Sequence, residues 1–381
     1  MFHDAIGFSK SAIEAGTFGG GGADGSMMAH SHVELRYGGN VGLDEIIHEQ
    51  RPFALKHEVS FGDFIQFAGA VGVANCQGAP RLQFLAGRAN HSRPAPHEGL
   101  IPAPFHSADE IFSRMGDAGF SPQEVVALSA AHSIPCVDDA TPPQNEPLDS
   151  TPQEFDSQFF LETLLEGSDY PGNASALGEA KSPLPGEFRI QTDGLLARDS
   201  RSACEWQSFI TDHDAMNAKF YKVMAKLSAL GQEPSKLVDC SEVIPVPRAV
   251  RRQKARLPAG KTLDDVEAAC DATPFPSLSV KPGPPTSIPA AYVIFSVSWI
   301  QNLTIAKPVQ AYNLRIDLRL HSCLHNFVSQ FAFVASYRLF LLGGLQTVID
   351  ETVAMSKLPD SGTLLHEVRK ARKRYAQCWV W

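Results

Sequence analysis

Two histidines lie in sequence surroundings that could place them on opposite sides of a bound cofactor. His3 belongs to the stretch MFHDAIGF, and His132 lies far downstream in the stretch VVALSAAHS. Each falls on a predicted helix, and each is followed by an oxygen-bearing residue, Asp4 and Ser133 respectively. Two imidazoles on two helices fit a haem held between those helices. Because a single interior histidine is more often a hydrogen-bonded core residue, this interpretation depends on partners elsewhere in the chain.

The helix that leads to His132 has the clearest start signal in the sequence. Residues 121–124, SPQE, form a predicted capping box with proline at the first helical position. Phe120 and Val125 occupy the two positions of a hydrophobic staple. Counted onward in the same helix, Val125, Leu128 and His132 fall on one face. The pattern therefore predicts that His132 points into the interior of the protein.

Other stretches also have apolar residues at helical spacing, whereas strand signals are few and short. Loops rich in proline and glycine separate these stretches. The sequence therefore predicts an all-α domain of about 290 residues with long loops. The remaining helices are predicted at 43–57, at 60–73, after Ser107, at 155–166 and at 214–230. Pro52 marks a kink or break in the first of these, and Ser60 is the N-cap of the second. Ser107 and Glu110 form the capping box of the third.

The composition indicates an ordinary globular protein that does not bind nucleic acid. The chain has 381 residues, 44% of them hydrophobic and 20% charged, with a formal net charge of -9. An acidic surface argues against nucleic acid and is compatible with attraction of cations, although it could simply keep the protein soluble. The apolar stretches at 292–305 and 327–348 lack clear periodicity, and Arg338 interrupts the second. We therefore expect no membrane-spanning helix.

Three segments together resemble one known family. The stretch around His3, the loop GGGGADGS at 19–26 and the stretch ending in His132 are similar to the fungal secreted haem peroxidases, namely the manganese, lignin and versatile peroxidases. The resemblance runs from residue 1 to about residue 290. It implies the family's haem peroxidase fold, in which haem b lies between a distal and a proximal helical half with few short strands. It also implies hydrogen peroxide as the oxidant and a monomeric protein.

On the proximal side, the resemblance identifies His132 as the iron ligand. Asp193, in the segment QTD at 191–193, matches the residue that accepts the N–H of that histidine. A carboxylate in this position makes the imidazole more anionic and favours the high-valent iron that follows O–O cleavage.

On the distal side, the resemblance identifies His3 as the acid–base group, which can move a proton between the peroxide oxygens. Asn40 matches the residue that orients this histidine, Glu34 the residue that holds the asparagine, and Phe2 the neighbouring aromatic residue. The family also carries an arginine one helical turn before the distal histidine, a position that would precede residue 1. Since that arginine stabilises charge on the leaving oxygen, we expect the literal polypeptide to be badly impaired or inactive.

The resemblance further implies two Ca²⁺ sites, because hard oxygen ligands that include carboxylates suit this ion. Taken alone, the segments would be ordinary turns, since Asp, Gly and Ser are common in loops. The loop between His132 and Asp149 is one residue shorter than the family norm. The distal site matches Asp4, Gly22, Asp24 and Ser26, and the proximal site matches Ser133, Asp149, Thr151, Asp156 and a backbone carbonyl near Glu154.

Two positions distinguish the subfamilies. Asp138, six residues after His132, matches the aspartate that binds Mn²⁺ as substrate in manganese and versatile peroxidases, although it could be one more acidic loop residue beside Asp139. Ala127 lies where lignin and versatile peroxidases carry a surface tryptophan for electron transfer. The other two manganese ligands are glutamates expected upstream of the distal histidine. The combination favours a Mn²⁺-oxidising peroxidase of lignin degradation. The alternatives are a peroxidase that oxidises small phenols at the haem edge and a non-catalytic haem- or calcium-binding remnant.

The remaining features concern processing. Cys204 and Cys270 match a family disulfide, and three glycosylation triplets begin at Asn90, Asn173 and Asn302, although such triplets are common by chance. The family is secreted, and since the chain has no secretory signal we interpret its start as truncated, without the N-terminal helices of a peroxidase domain that spans 1–290. Residues 291–381 match nothing in the family, and we interpret them as an unmatched tail translated from an intron or by read-through.

Overall fold

A computed structural model of the chain describes residues 1–137, 146–170, 178–249 and 254–288. The described residues form short and medium helices joined by long loops. The first six α-helices are α1 Phe2–Ala5, α2 Lys10–Glu14, α3 Ser26–Ala29, α4 Ser31–Glu34, α5 Asp44–Lys56 and α6 Phe61–Asn75. The next six are α7 Ala108–Ala118, α8 Pro122–Ser129, α9 Gln158–Glu162, α10 Gln191–Arg198, α11 Ala203–Phe209 and α12 His213–Ser228.

Short 3-10 turns and strands connect these helices. The 3-10 helices are Gly38–Asn40, Ala130–Ser133, Pro234–Lys236, Ser241–Val243 and Leu263–Asp265. The described strands have two residues each and form three antiparallel pairs: β1 Leu85–Ala86 with β6 Val238–Asp239, β2 Cys136–Val137 with β3 Glu146–Pro147, and β4 Glu179–Ala180 with β5 Arg189–Ile190. A helical fold with few short strands is what the sequence predicted.

Local sequence signals set the start of the helices that flank the site. Ser107 and Ser121 each form the predicted capping box, with Glu110 and Glu124 respectively returning a side-chain bond to the cap backbone. Ser60 caps α6 as predicted. These contacts satisfy amide groups that a helix end would otherwise leave without partners. Pro52 lies inside α5, which runs through it.

One prediction about the helix before His132 is wrong. α8 ends at Ser129, and His132 lies on the 3-10 helix Ala130–Ser133. The hydroxyl of Ser129 donates to the carbonyl of Val125 at 3.2 Å, and that of Ser133 donates to the carbonyl of Ala130 at 2.9 Å. These side chains compete for helical carbonyls and favour a tighter last turn. The shared α-helical face predicted for Val125, Leu128 and His132 therefore does not extend to the histidine.

Helix α9 is also shorter than the predicted segment 155–166. Asp156 accepts the backbone N–H of Gln158 at 2.7 Å, which fixes the start of the helix. At the other end, Arg189 donates to the carbonyls of Glu162 and Leu165, at 2.7 and 2.8 Å. The carbonyl of Glu162 also accepts the backbone N–H of Leu165, three residues on, so the helix ends in a tighter turn that a distant side chain holds.

The core is formed by helix packing and large aromatic side chains. α8 packs against α12, α9 packs against the 3-10 helix of His132, and α1 contacts both α3 and α12. Trp206 is fully buried against Phe159 and Phe160, and Phe209 packs against Phe160. Cys204 and Cys270 form the expected disulfide. Among the described residues, no helix is both long enough and apolar enough to cross a bilayer. The predicted tail lies outside the described residues.

Candidate active site

His132 is held by a carboxylate from another helix. Its Nδ1 lies 3.1 and 3.0 Å from the two carboxylate oxygens of Asp193, which is in the first turn of α10 and is 2% exposed. Burial lowers the pKa of His132, but the charge of Asp193 and its hydrogen bond raise that pKa above its ordinary value. With Nδ1–H donating to Asp193, a metal would bind this ring at Nε2.

The ring of His132 is partly accessible, although the residues on either side of it are buried. Its side chain is 33% exposed, and the buried neighbours are Ala131 and Ser133. The ring packs edge-on against Phe159, with centroids 5.8 Å apart, and Phe159 in turn contacts the indole of Trp206. The indole N–H donates to the carbonyl of Phe160 at 3.0 Å. Packed aromatic rings thus fix one edge of the imidazole, while Asp193 fixes its rotation.

His3 on α1 is held by an asparagine amide. Its Nδ1 lies 3.1 Å from Oδ1 of Asn40, whose Nδ2 donates to the main-chain carbonyl of Glu34 at 2.9 Å. The carboxylate of Glu34 accepts instead from the backbone N–H of Ala95 at 3.0 Å. Phe2 packs edge-on against the His3 ring. The amide can donate to Glu34 only by presenting its oxygen to His3, so it fixes the Nδ1–H tautomer.

The environment keeps His3 neutral. Burial lowers the pKa of His3 to about 4, more than its hydrogen bonds to Asn40 and Gly39 raise it. A neutral imidazole with Nδ1–H bonded presents an unprotonated Nε2, which can accept a proton.

The carboxylate of Asp4, on α1, lies close to that of Asp24, on the loop that precedes α3. Asp4 accepts from the backbone N–H groups of Gly25 and Met27, at 3.1 and 3.3 Å, and Asp24 accepts from that of Ser26 at 2.9 Å. Burial, and then the charge of Asp24, raises the pKa of Asp4 to about 7. Two buried carboxylates that repel each other would be stabilised by a cation between them.

Gly22 brings the same loop close to the end of α12. It has φ +69°, and a Cβ at this position would lie 2.0 Å from the carbonyl oxygen of Leu230. A side chain therefore cannot be accommodated, and the backbone of the loop remains available as a source of oxygen ligands.

A second acidic loop lies between β3 and α9. Thr151 donates through its backbone N–H to Asp149 at 2.7 Å and through its hydroxyl to Asp156 at 3.2 Å. Asp149 is fully buried, and its Oδ2 has no hydrogen-bond partner. Burial and the charge of Asp156 raise the pKa of Asp149 well above its usual range, and burial raises the pKa of Asp156 to about 7. Ser133 is buried, and Glu154 bonds through its N–H to the carbonyl of Thr151 at 2.9 Å.

Two family models match this chain, Peroxidase over residues 1–212 and Fungal peroxidase extension region over residues 215–292. The chain belongs to the peroxidase family. It is 53% identical over 291 residues to versatile peroxidase VPS1 of Pleurotus eryngii, a match that covers 76% of this chain and 78% of the relative. It is 50% identical to ligninase H2 of Phanerodontia chrysosporium over 290 residues, with the same two coverages. Manganese peroxidase 3 of Phlebia radiata is 50% identical over 289 residues, covering 75% of this chain and 79% of that one.

This peroxidase is thus an oxidoreductase with the all-α fold of its family, and the family implies haem. The residues present fit that group. The ring of His132 is partly exposed inside an otherwise buried segment, and with Nδ1–H bonded to Asp193 its Nε2 would be the atom that binds the iron. His3 offers a second, neutral imidazole. The unpartnered Oδ2 of Asp149 and the neighbouring carboxylates of Asp4 and Asp24 fit hard cations.

The metal ligands predicted from sequence are only partly brought together in the peroxidase. In the described part of the chain, no group of three or more His, Cys, Asp or Glu side chains is placed to hold a metal. Each predicted Ca²⁺ site would therefore need hydroxyl and main-chain oxygens as well. Asp138 lies outside the described residues. The strand pairing of Val137 with Glu146 ends immediately before it.

A buried polar group beside the second acidic loop was not predicted from the sequence. Glu162 is fully buried, and its carboxylate accepts from Ser150 Oγ at 2.6 Å, Ser150 N at 2.7 Å and Gln158 Nε2 at 2.8 Å. Burial and the charge of Glu162 raise the pKa of Glu187 well above its usual range. The available signal was the polar pair Gln158 and Glu162, four residues apart on an apolar helix.

Proposed function

We propose that this peroxidase is a secreted fungal enzyme of lignin degradation that uses hydrogen peroxide to oxidise Mn²⁺ to Mn³⁺. One peroxide, two Mn²⁺ and two protons give two waters and two Mn³⁺. The observation that carries the catalytic part is the pair of oriented imidazoles, His132 with Asp193 at 3.0 Å and His3 with Asn40 at 3.1 Å. Bound haem supplies an iron that accepts peroxide and can be oxidised by two electrons.

In this proposal His132 is the iron ligand. Asp193 accepts its Nδ1–H and makes the imidazole more anionic, which favours oxidation of the iron. The edge-on contact with Phe159 holds the ring in the plane that the carboxylate sets. Removing the charge at Asp193 while keeping its shape should therefore change the redox behaviour of the site more than its stability.

His3 is the acid–base residue of the proposal. Its Nε2 takes a proton from the inner oxygen of peroxide and returns it to the outer oxygen, which leaves as water. Because burial lowers the pKa of His3 to about 4, the ring is ready to accept a proton in neutral and mildly acidic solution. Asn40 holds the tautomer, and Phe2 limits the movement of the ring.

We propose that two Ca²⁺ ions hold these histidines in place. Asp4, Asp24, Ser26 and main-chain oxygen at Gly22 would bind one ion beside His3. Asp149, Thr151, Asp156, Ser133 and main-chain oxygen near Glu154 would bind the other beside His132. The raised pKa values of Asp4 and Asp156 and the unpartnered Oδ2 of Asp149 support both sites.

The preference for Mn²⁺ rests on Asp138 and on the tryptophan content. Asp138 follows His132 by six residues. Position 127 is an alanine, whereas the resemblance places a tryptophan there in lignin and versatile peroxidases. Among the described residues the single tryptophan, Trp206, is fully buried, so it offers no surface route for electrons. A metal ion that approaches the haem edge needs no such route. Oxidation of small phenols at the haem edge is the second candidate function, because we assign a single residue of this chain, Asp138, to the binding of Mn²⁺.

Secretion and a monomeric state complete the proposal. The disulfide between Cys204 and Cys270 supports an oxidising compartment.

Steady-state oxidation of Mn²⁺ and of a small phenol tests the proposal, with Asp138→Ala compared with Asp139→Ala as a matched control. Because the expected arginine and the two expected glutamate ligands would precede residue 1, the holoenzyme used in this and the following tests carries the corresponding upstream segment of a relative. We expect Asp138→Ala to raise the KM for Mn²⁺ at least about tenfold and to leave phenol oxidation unchanged, because a lost ligand weakens metal binding alone. Equal Mn²⁺ kinetics in the two variants would favour the phenol peroxidase. No peroxide-dependent turnover of either substrate would favour the remnant.

A further inference from the structure

One arginine that is distant from His3 in the sequence joins two segments that meet at His3. Arg114, on α7, donates through Nη2 to the carbonyls of Ile6 and Phe8, at 2.6 and 2.7 Å, directly after the helix of His3. Its Nε donates to the carbonyl of Leu100 at 2.7 Å. The side chain is 12% exposed. A single guanidinium thus ties the end of α1 to the loop 94–101, which we call the bridging loop.

The bridging loop is bonded in turn to the segment that carries Asn40. The backbone N–H of Ala95 donates to the Glu34 carboxylate at 3.0 Å, and the Tyr37 hydroxyl donates to the Ala95 carbonyl at 2.9 Å. The backbone N–H of Gly38 donates to the Glu98 carboxylate at 2.7 Å. Three hydrogen bonds therefore fasten the loop to residues 34–38, which immediately precede Asn40.

Tight packing accompanies these bonds. A Cβ at Gly39 would lie 2.8 Å from the Cβ of Ile101, and a Cβ at Gly7 would lie 3.2 Å from the Cβ of Ala95. The bridging loop therefore lies directly against the residue before Asn40 and against the end of the His3 segment. With so little space, a shift of the loop must move at least one of the two segments.

The hydrogen bond between His3 and Asn40 closes a ring of contacts. Starting from α1, the ring runs through Arg114, the bridging loop and residues 34–40, and it returns to α1 through that bond. A small cavity inside the ring is lined by His3, Asn40 and Ile101. Its walls thus come from all three segments.

We propose that Arg114 is a positioning residue for the distal acid–base group, because it fixes the bridging loop and thereby the placement of Asn40 against His3. The planar fork of arginine suits this role, since Nε and Nη2 point to different segments at fixed separation. Asp117 pairs with Nη1 at 3.2 Å and sets the direction of the fork. A lysine ammonium is a point charge and cannot hold both segments in the same way.

The inference rests on the proposed role of His3. The test compares Arg114→Lys with Arg81→Lys in the holoenzyme. Arg81 is a matched control, because its Nε and Nη2 also donate to two carbonyls, those of Ile244 and Glu242, on a different segment. The first measurement is amide hydrogen exchange, which needs no turnover, and the second is the rate constant for reaction with peroxide.

We expect Arg114→Lys to speed amide exchange in residues 34–40, which Arg114 does not touch, and to slow the reaction with peroxide by about tenfold or more. Arg81→Lys should change neither. Retention of haem and an unchanged rate of the later reaction with the reductant would distinguish a positioning role from a general loss of stability. If exchange in residues 34–40 and the peroxide rate match the parent, the inference is wrong.

A second variant covers the case in which Arg114→Lys does not fold. Glu98→Ala removes an exposed carboxylate and breaks the contact between the bridging loop and Gly38. It should slow the peroxide reaction and speed exchange at residues 5–8, on the far side of the ring, and no change in either would overturn the inference. His3→Ala separates the two proposals: if it leaves the peroxide rate unchanged, the proposed function fails first.

Discussion

The carboxylate of Asp193 lies 3.0 Å from Nδ1 of His132, although the two residues are 61 positions apart in the chain. The carboxylate is almost completely buried, whereas the imidazole is one-third exposed. The pair therefore joins a buried charge to a ring whose other side is accessible. This relationship makes the charge of Asp193 the strongest local influence on anything bound at Nε2.

Asp193→Asn should keep the shape of this pair and remove its charge. We expect the reduction potential of the iron to become more positive and the reaction with peroxide to slow by about 10- to 100-fold, because a neutral partner makes the imidazole a weaker electron donor. Spectroelectrochemistry and stopped-flow absorbance measure the two effects.

Asp264→Asn is the control for this substitution, since Asp264 is an exposed carboxylate on a 3-10 turn. It should leave both quantities at the parent values. A potential that is equal in Asp193→Asn and the parent would contradict the electrostatic role of Asp193.

His132→Ala should abolish the Soret band of stoichiometrically bound haem. The reason is that His132 is the residue we assign to the iron, and alanine offers no ligand. Absorbance after reconstitution with haem measures the loss. His48→Ala, which changes an exposed histidine on α5, should retain the full band. Normal haem binding with unchanged axial-ligand spectroscopy in His132→Ala would refute the assignment.

Asn40→Val should slow the reaction with peroxide by about 10- to 100-fold while haem remains bound. Valine is similar in size to asparagine but cannot accept the Nδ1–H of His3, so the tautomer that exposes Nε2 is no longer fixed. Stopped-flow mixing with peroxide measures the rate. Asn217→Val removes a half-buried amide on α12 that bonds the carbonyl of Gly78, and it should leave the rate unchanged.

Local signals in the sequence predicted where α7 and α8 begin, whereas contacts that the sequence pattern does not contain decide where α8 and α9 end. The capping boxes at Ser107 and Ser121 depend on residues three apart, so they could be predicted from spacing alone. The end of α9 depends on Arg189, which reaches the carbonyl of Glu162 from 27 residues away. The turn at His132 depends on serine hydroxyls that bond back to helical carbonyls. The periodicity of apolar residues gives no information about either of these contacts.

In the site too, the residue types could be predicted from the sequence, whereas the contacts with main-chain groups could not. Family resemblance indicated that Asn40 would meet His3 and that Glu34 would hold Asn40. The contact with Glu34 is made by its main-chain carbonyl, while its carboxylate bonds the bridging loop. Arg114 reaches the carbonyl of Ile6 across 108 residues, and a carbonyl acceptor leaves no trace in residue type. Such contacts follow from the fold and could not be predicted from the sequence.

Calcium should control how the stability of the protein depends on pH. In the folded protein without a cation, the pKa values of Asp4 and Asp156 are raised to about 7, from an ordinary value of 3.8. Between those values the folded state retains protons that the unfolded state has lost. The free energy of unfolding therefore falls as pH rises from about 4 to about 7 and then levels off. Bound Ca²⁺ requires both carboxylates to be ionised, so with calcium present the free energy of unfolding should no longer fall over this pH range. For the same reason calcium should bind more weakly in acid.

The melting midpoint, measured between pH 5 and pH 8 with calcium and after its removal, tests this dependence. We expect the two curves to lie close together at pH 5 and to separate as pH rises, because ion binding stabilises only the folded state and does so most when the sites are ionised. Asp4→Asn and Asp156→Asn each remove one titrating carboxylate. Each should reduce the difference between the melting midpoints with and without calcium, and each should reduce the fall of the calcium-free midpoint as pH rises. Asp264→Asn should change neither, since its carboxylate is exposed. Curves that stay parallel across this range would mean that these carboxylates do not bind calcium.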